Sequence, residues 1–102
     1  MPNKVDENLL AKRIVRRWHW RKRSFENQVK KLPTTFTVRN FHQIVEAKTL
    51  IQRYLIFINS TDFSLFSLLS ERQVNNISFI IAYIKEIIAI LTQKIKEARQ
   101  NI

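Results

Sequence analysis

Cations and tryptophans are concentrated in the first third of the chain. Nine of the twenty residues in the range 12–31 are lysine or arginine, and the densest run, Arg16–Arg23, also contains Trp18 and Trp20. Cations that neutralise phosphates release condensed counterions, and an exposed indole can stack on an unpaired base. This combination of residue types predicts binding to a polyanion, and RNA or DNA is the polyanion that fits both features.

The residues predicted to contact nucleic acid are cations of this cluster together with one tryptophan. Arginine and lysine side chains that bind phosphates position a protein on a backbone without reading bases. Because the spacing matches no module that reads a base sequence, we expect RNA or single-stranded DNA to be bound without sequence readout, and a solvated basic surface is the alternative. The predicted contact residues are Lys12, Arg13, Arg16, Arg17, Trp20, Lys22, Arg23, Lys30 and Lys31.

The residue types that catalysis requires are scattered or absent. His19 and His42 are the two histidines, cysteine is absent, and the eight carboxylates form no close pair. A zinc site would need carboxylates from distant positions, and neither histidine has an evident nucleophile as a partner. Glycine is absent too, which excludes the Gly-rich loops that bind nucleotide phosphates. The sequence therefore predicts a protein that is not an enzyme and has no metal, cofactor or small-molecule substrate.

The charge is distributed unevenly along the chain. Residues 1–31 contain ten basic and three acidic side chains, while residues 32–102 contain eight and five, so the first third supplies most of the net charge of +10. Such asymmetry is evidence about partners and says little about the fold. The absence of cysteine and of an apolar signal segment favours a cytoplasmic location, with an organellar matrix or stroma as the alternative.

Long uninterrupted helices are predicted, because the chain lacks glycine and its two prolines, Pro2 and Pro33, lie outside the periodic segments. The predicted fold is one all-α domain over residues 1–102, a small bundle of three long helices and one short helix. A cap is expected near Asn3 for the first helix, another at Thr37 for the second, and a break at Asn75–Asn76. In chain order, the predicted helices cover about 5–31, 38–58, 63–73 and 77–100.

The first helix is predicted to be amphipathic. At about 100° per residue, Trp18 falls on the apolar side and is predicted to be buried, whereas Trp20 falls among the cations and is predicted to be exposed. Arg21 falls inside the apolar stripe, where its stem can pack while its guanidinium reaches solvent or a carboxylate. The apolar stripe consists of Leu10, Ile14, Trp18, Phe25, Val29 and Leu32.

The second helix is predicted to have a broad apolar side, with Leu50 and Phe57 pointing elsewhere. Its residues 54–58 are also consistent with a buried strand, but no second strand is evident to pair with it. The predicted apolar side consists of Phe41, Ile44, Val45, Ile51, Leu55 and Ile58.

The last helix has the clearest helical periodicity, with apolar residues at steps of three or four. Isoleucines such as Ile87 widen the stripe beyond a coiled-coil seam, so we expect contact with other protein subunits. A membrane span is not expected, because the apolar segment is shorter than roughly 20 residues and contains Lys85 and Glu86. The predicted interface residues are Ile77, Ile80, Ile84, Ile87, Ile88, Leu91 and Ile95.

In size, helicity and charge, the chain resembles the small helical subunits of type I and type III CRISPR effector complexes. The Arg16–Arg23 run and the Ile77–Ile95 helix carry this resemblance. It implies a non-catalytic subunit that is repeated along a ribonucleoprotein and holds guide or target strands on basic surfaces. Two alternatives stay open: a bacterial or organellar ribosomal protein, and a helical adaptor or assembly subunit whose cations contact acidic proteins or membrane surfaces.

Overall fold

Three long α-helices form the fold, joined by connections that contain short 3-10 segments. The computed structural model describes the backbone of residues 4–100 and the side chains of residues 6–100, and these residues contain no strand. The prediction of an all-α bundle with three long helices and one short helix is therefore confirmed. The elements are α1 (Lys4–Lys30), a 3-10 turn (Val38–Asn40), α2 (Phe41–Asn59), a 3-10 segment (Phe63–Leu68) and α3 (Glu71–Gln100).

The bundle is a rod. Its principal extents are 61 × 19 × 17 Å and its radius of gyration is 17.1 Å, whereas a compact domain of about 100 residues has a radius of about 13 Å. α1 and α2 are antiparallel, since Trp18 packs on Phe57 and Phe25 packs on Tyr54, with ring centroids 4.8 and 4.7 Å apart. α3 packs against both of them. A rod of three helices exposes one long outer face of each helix.

The core consists of two apolar clusters. The first joins all three helices around Phe25 and Ile84, both of which are 0% exposed. Trp18 belongs to this cluster and is 2% exposed, which confirms the prediction that it is buried. In the second cluster, Phe36 from the α1–α2 connection inserts between α2 and the C-terminal half of α3, beside Ile95. The two clusters together bury one side of each helix.

The connection after α1 is built without any left-handed residue. Pro33 cannot continue a helix, and the chain closes the last turn before it with a hydrogen bond from Leu32 N to Val29 O of 3.0 Å. No residue of the described range has a positive φ. The predicted end of the first helix is confirmed to within one residue, while the cap expected at Asn3 lies outside the described residues.

α2 differs from its predicted start and its predicted face. Thr37 precedes a 3-10 turn and makes no side-chain capping hydrogen bond, and α2 begins at Phe41. The assignment of Leu50 away from the core was wrong, because Leu50 is buried while Phe41 is exposed. The reason is a rotation of the helix that turns Tyr54 inward onto Phe25. The buried residues of α2 are Ile44, Ala47, Leu50, Tyr54 and Ile58.

The break predicted at Asn75–Asn76 was also wrong, since α3 runs without interruption from Glu71 to Gln100. A capping box starts it: Gln73 N donates to Ser70 Oγ (3.2 Å), and Ser70 N donates to Gln73 Oε1 (2.9 Å). Because the helix starts at this box, the expected helix over 63–73 is reduced to the 3-10 segment at 63–68. Two asparagines in an exposed helical turn are tolerated, because asparagine lowers helix propensity only modestly.

By length and composition, α3 alone within residues 4–100 qualifies as a membrane-crossing helix, and 28% of its most apolar stretch is buried in the bundle. The core helix of a soluble protein meets the same criteria, so this finding is weak evidence. The expectation that the chain does not span a membrane stays a prediction.

We expect Ile84→Ala to lower the free energy of unfolding by about 2–5 kcal/mol, because it opens a cavity at a fully buried position. The matched control is Ile90→Ala, six residues further along α3, where the side chain is 49% exposed. This control should change stability by no more than about 0.5 kcal/mol. Urea denaturation of both variants measures the difference, and equal losses would contradict the assignment of the core face.

Candidate nucleic-acid interface

The rotation of α1 about its axis is fixed by the residues it buries. Trp18 and Phe25 point into the first core cluster, and at about 100° per residue the opposite side of the helix carries Arg16, Trp20 and Arg23. Trp20 is 62% exposed, which confirms that prediction. The indole therefore lies on the outer face of α1, with Arg16 about one turn before it and Arg23 about one turn after it.

The outer face of α1 carries cations that no described carboxylate pairs with. One ion pair lies within α1, between Lys22 Nζ and Glu26 Oε1 (3.8 Å), and it is on the flank of the helix. Among the described residues, no ion pair involves the cations of the outer face. From Lys12 to Lys30 this face is about 27 Å long at 1.5 Å per residue. The exposed cations on this face are Lys12, Arg13, Arg16, Arg23, Lys30 and, just past the helix end, Lys31, while Arg17 is exposed on the flank that faces α2.

On the flank of α1 that faces α2, two guanidinium groups lie over one ring. The Cζ atoms of Arg17 and Arg21 are 5.5 and 4.8 Å from the centroid of Phe57. Arg21 also contacts the Trp20 ring at 5.4 Å, and its buried Nε has no hydrogen-bond partner among the described residues. Stacking on an aromatic ring restricts where a guanidinium points and leaves its outer donors available. The two arginines therefore extend the positive surface from the outer face towards α2.

Arg21 was not among the predicted contact residues. The prediction that its stem packs within the apolar stripe agrees with its partial burial, but its guanidinium meets Phe57 instead of a carboxylate. The i, i+4 spacing of Arg17 and Arg21 is a signal that places both on one flank. The ring that orders them comes from another helix, and the sequence does not indicate that contact.

On the flank that faces α3, Lys22 is half-buried. Its Nζ lies 5.2 Å from the ring centroid of Tyr83, and it also pairs with Glu26. Burial raises the pKa of Tyr83, and the nearby charge of Glu26 raises it further. The phenol therefore stays neutral at physiological pH. Lys22 has partners within the protein and is less available to a phosphate than the cations of the outer face.

The residues of α3 that were predicted to form a protein interface lie in the core of the chain itself. The structure buries Ile77, Ile80, Ile84, Ile88, Leu91 and Ile95 within the chain's own core, and Ile87 is half-buried. These side chains are not on the surface because α1 and α2 cover the apolar stripe of α3. The predicted interface residues therefore belong to the core. The exposed large apolar residues of α3 are Phe79 and Ile90, and those of α2 are Phe41, Val45 and Ile56.

The side chains that could bind a metal are dispersed. His19 and His42 are both exposed and lie on different helices. Within residues 4–100 there is no group of three or more His, Asp or Glu side chains placed to hold a metal ion. The exposed Asp62 caps the 3-10 segment by accepting hydrogen bonds from Ser64, which lower the pKa of its carboxyl group. This carboxylate therefore has a structural partner.

A cavity of about 270 Å³ separates α1 from the 3-10 segment. Its lining includes Trp18 and Phe57, with Arg17 and Asp62 among the charged residues. The Ser60 and Thr61 hydroxyls in this lining both donate to Phe57 O (3.3 and 2.8 Å), and Asp62 accepts from Ser64 N (3.1 Å), so these polar groups are engaged in local hydrogen bonds.

Comparison with known proteins gave no match: no protein-family model, curated protein or solved structure aligns with the chain. Its function is therefore inferred from its own side chains.

Proposed function

We propose that the chain is a non-catalytic, nucleic-acid-binding subunit that holds RNA or single-stranded DNA along the outer face of α1. The observation that supports this proposal most directly is the exposed row of cations on that face, which lacks carboxylate partners among the described residues. An anionic backbone laid along about 27 Å of helix can contact several of these cations together. The binding is electrostatic and does not depend on base sequence.

An unpaired strand fits this face better than a duplex. Trp20 lies in the middle of the cations and is the most accessible aromatic side chain of α1. Stacking on an indole requires a base that is free of its own helical stack, as in single-stranded RNA or DNA. The neighbouring Arg21 lies against the Trp20 ring and can contact a phosphate of the same nucleotide. A duplex would use the cations and leave the indole without a role.

An anionic membrane surface is a poorer fit. Helices that lie in the membrane interface insert a continuous apolar face among the lipids. The apolar stripe of α1 is covered by α2 and α3 at Trp18 and Phe25. The surface around Trp20 is cationic, and the exposed leucines of α1, Leu9 and Leu10, lie about three turns away from it. Membrane binding at Trp20 would therefore rest on charge with little continuous apolar insertion.

The assembly in which the chain acts is part of the same proposal. A rod with a cationic face on α1 and exposed apolar side chains on its other helices suits a subunit packed between neighbours on a strand. A repeated small subunit of a CRISPR effector is the assembly that we favour, and a ribosomal protein is the alternative.

Replacing Arg13, Arg16 and Arg23 with Gln should weaken binding to a labelled single-stranded oligonucleotide and flatten its salt dependence. Three lost phosphate contacts reduce the slope of log K against log salt by about 2. Fluorescence anisotropy across a salt series measures this slope, with helicity by circular dichroism as the check on folding.

The matched control replaces Arg39, Arg53 and Arg72 with Gln, all of them exposed and outside α1. Each triple variant removes three arginines and so lowers the formal net charge from +10 to +7. We expect the control to keep nearly the whole slope. Equal flattening in both variants would show that overall charge, and not the outer face of α1, determines binding.

Trp20→Ala should weaken single-strand binding roughly 5- to 150-fold through the loss of one base stack. Trp20→Phe should retain most of the affinity, and binding to a duplex of the same length should be unaffected by either change. Trp18→Ala is the contrasting variant, because it should lower stability by about 3–5 kcal/mol. An equal effect of Trp20→Ala on single strands and duplexes would argue against stacking.

The copy number of the chain in its native particle should distinguish the two assemblies. A repeated small subunit predicts several copies together with one short RNA, whereas a ribosomal protein predicts one copy with long ribosomal RNA. Quantitative mass spectrometry and sequencing of the bound nucleic acid measure both quantities. A purified particle without nucleic acid would contradict the proposed function.

A further inference from the structure

A second positively charged surface lies on another side of the rod, in the groove between α2 and α3. The groove has a volume of about 490 Å³ and is open to solvent along its outer side. None of its lining residues belongs to α1, so it is separate from the proposed nucleic-acid interface. From Lys48 to Leu55 on α2, and from Thr92 to Arg99 on α3, its walls are about 10 Å, or two helical turns, long.

The floor of the groove is aliphatic. Ile51 and Leu55 are half-buried on α2, and Ile95 lies beneath them on α3. The Thr92 hydroxyl donates a hydrogen bond to Ile88 O (2.8 Å), so its polar group is satisfied inside its own helix. No aromatic side chain lines the groove. An apolar floor of this kind favours aliphatic ligands over bases, which bind single-strand sites by stacking on aromatic rings.

The rim of the groove is cationic. Lys48, Lys96 and Arg99 line it, and no carboxylate does. None of the three forms an ion pair with a residue in the range 6–100. The nearest carboxylate in sequence on this part of α3, Glu97, accepts a hydrogen bond from Gln93 Nε2 (3.3 Å). The charges of the rim are therefore uncompensated within the described part of the chain.

We propose that this groove docks an acidic amphipathic helix of a partner protein. Aliphatic side chains at positions i, i+3 or i+4, and i+7 of that helix rest on Ile51, Leu55 and Ile95, and carboxylates beside this stripe meet the three cations of the rim. Two turns of groove match the length over which such anchors recur. This inference does not depend on the function proposed for α1.

A small anionic amphiphile shares the chemistry of this groove but fits its shape less well. Pockets for small molecules enclose most of the ligand surface, whereas this groove is open along its length. A helix lying across two helices closes an open groove by adding a third layer of packing. The observations therefore favour the partner helix.

The test uses a designed, fluorescein-labelled peptide of about 18 residues, or five turns, with leucines in one helical stripe flanked by glutamates. Its binding to the full chain is measured by anisotropy. The comparison peptides are one with the same composition in scrambled order and one with lysine in place of glutamate. The groove variant is Lys48→Glu, Lys96→Glu and Arg99→Glu. Its matched control is Arg13→Glu, Arg16→Glu and Arg23→Glu, and each triple lowers the formal net charge from +10 to +4, a change of two for each of three cations.

The proposal expects the striped acidic peptide to bind at least tenfold more tightly than either comparison peptide. The groove variant should lose this binding and keep single-strand binding, while the α1 control should do the reverse. Four results would overturn the proposal. The first two are no binding of the striped peptide and equal binding of the scrambled peptide. The third is complete displacement of the striped peptide by dodecanoate, a small anionic amphiphile, at the concentration that saturates its own binding, and the fourth is loss of single-strand binding in the groove variant. The last of these would assign the groove to nucleic acid.

Discussion

The burial of Trp18 and Phe25 against α2 and α3 is the constraint on which the surface of this protein depends. Because these rings point inward, the 3.6-residue period of the helix places Arg16, Trp20 and Arg23 on its outward side. Their outward position follows from the core and needs no interaction of its own. A cationic face that is set by packing keeps its geometry without a bound anion, which lowers the cost of ordering the site when a ligand arrives.

The same packing places two positive surfaces on different sides of the molecule. One positive surface follows the outer face of α1, and the other is the rim of the α2–α3 groove. The groove between α1 and α2 contains Glu46 together with the cations Lys31 and Arg53. Two positive surfaces on different sides of the rod are suited to two different partners, since each surface can attract a ligand without the other being covered.

Periodicity predicted those features that depend on one helix at a time. The helical fold, the burial of Trp18 and the exposure of Trp20 all follow from counting residues around an axis. The isoleucine stripe of α3 was assigned to partner subunits because a sequence pattern shows that a face is covered and not which chain covers it. The capping box of Ser70 and Gln73 was visible as a sequence signal, and it would have placed the start of α3 correctly. The stacking of Arg17 and Arg21 on Phe57 joins two helices, and no local pattern predicts such a contact.

The uncompensated charge affects the stability of the fold. With a net charge of +10 on 102 residues, repulsion between like charges opposes the compact state, and the cost is largest where cations are dense, as between Arg13 and Arg23. The core must offset this repulsion, and it does so with fully buried residues from all three helices. A polyanion bound as proposed would offset this repulsion most strongly in the folded state, where the cations are aligned on one face. The excess of binding to the folded state over binding to the unfolded chain would then stabilise the fold, by an amount that grows with the logarithm of ligand concentration over Kd.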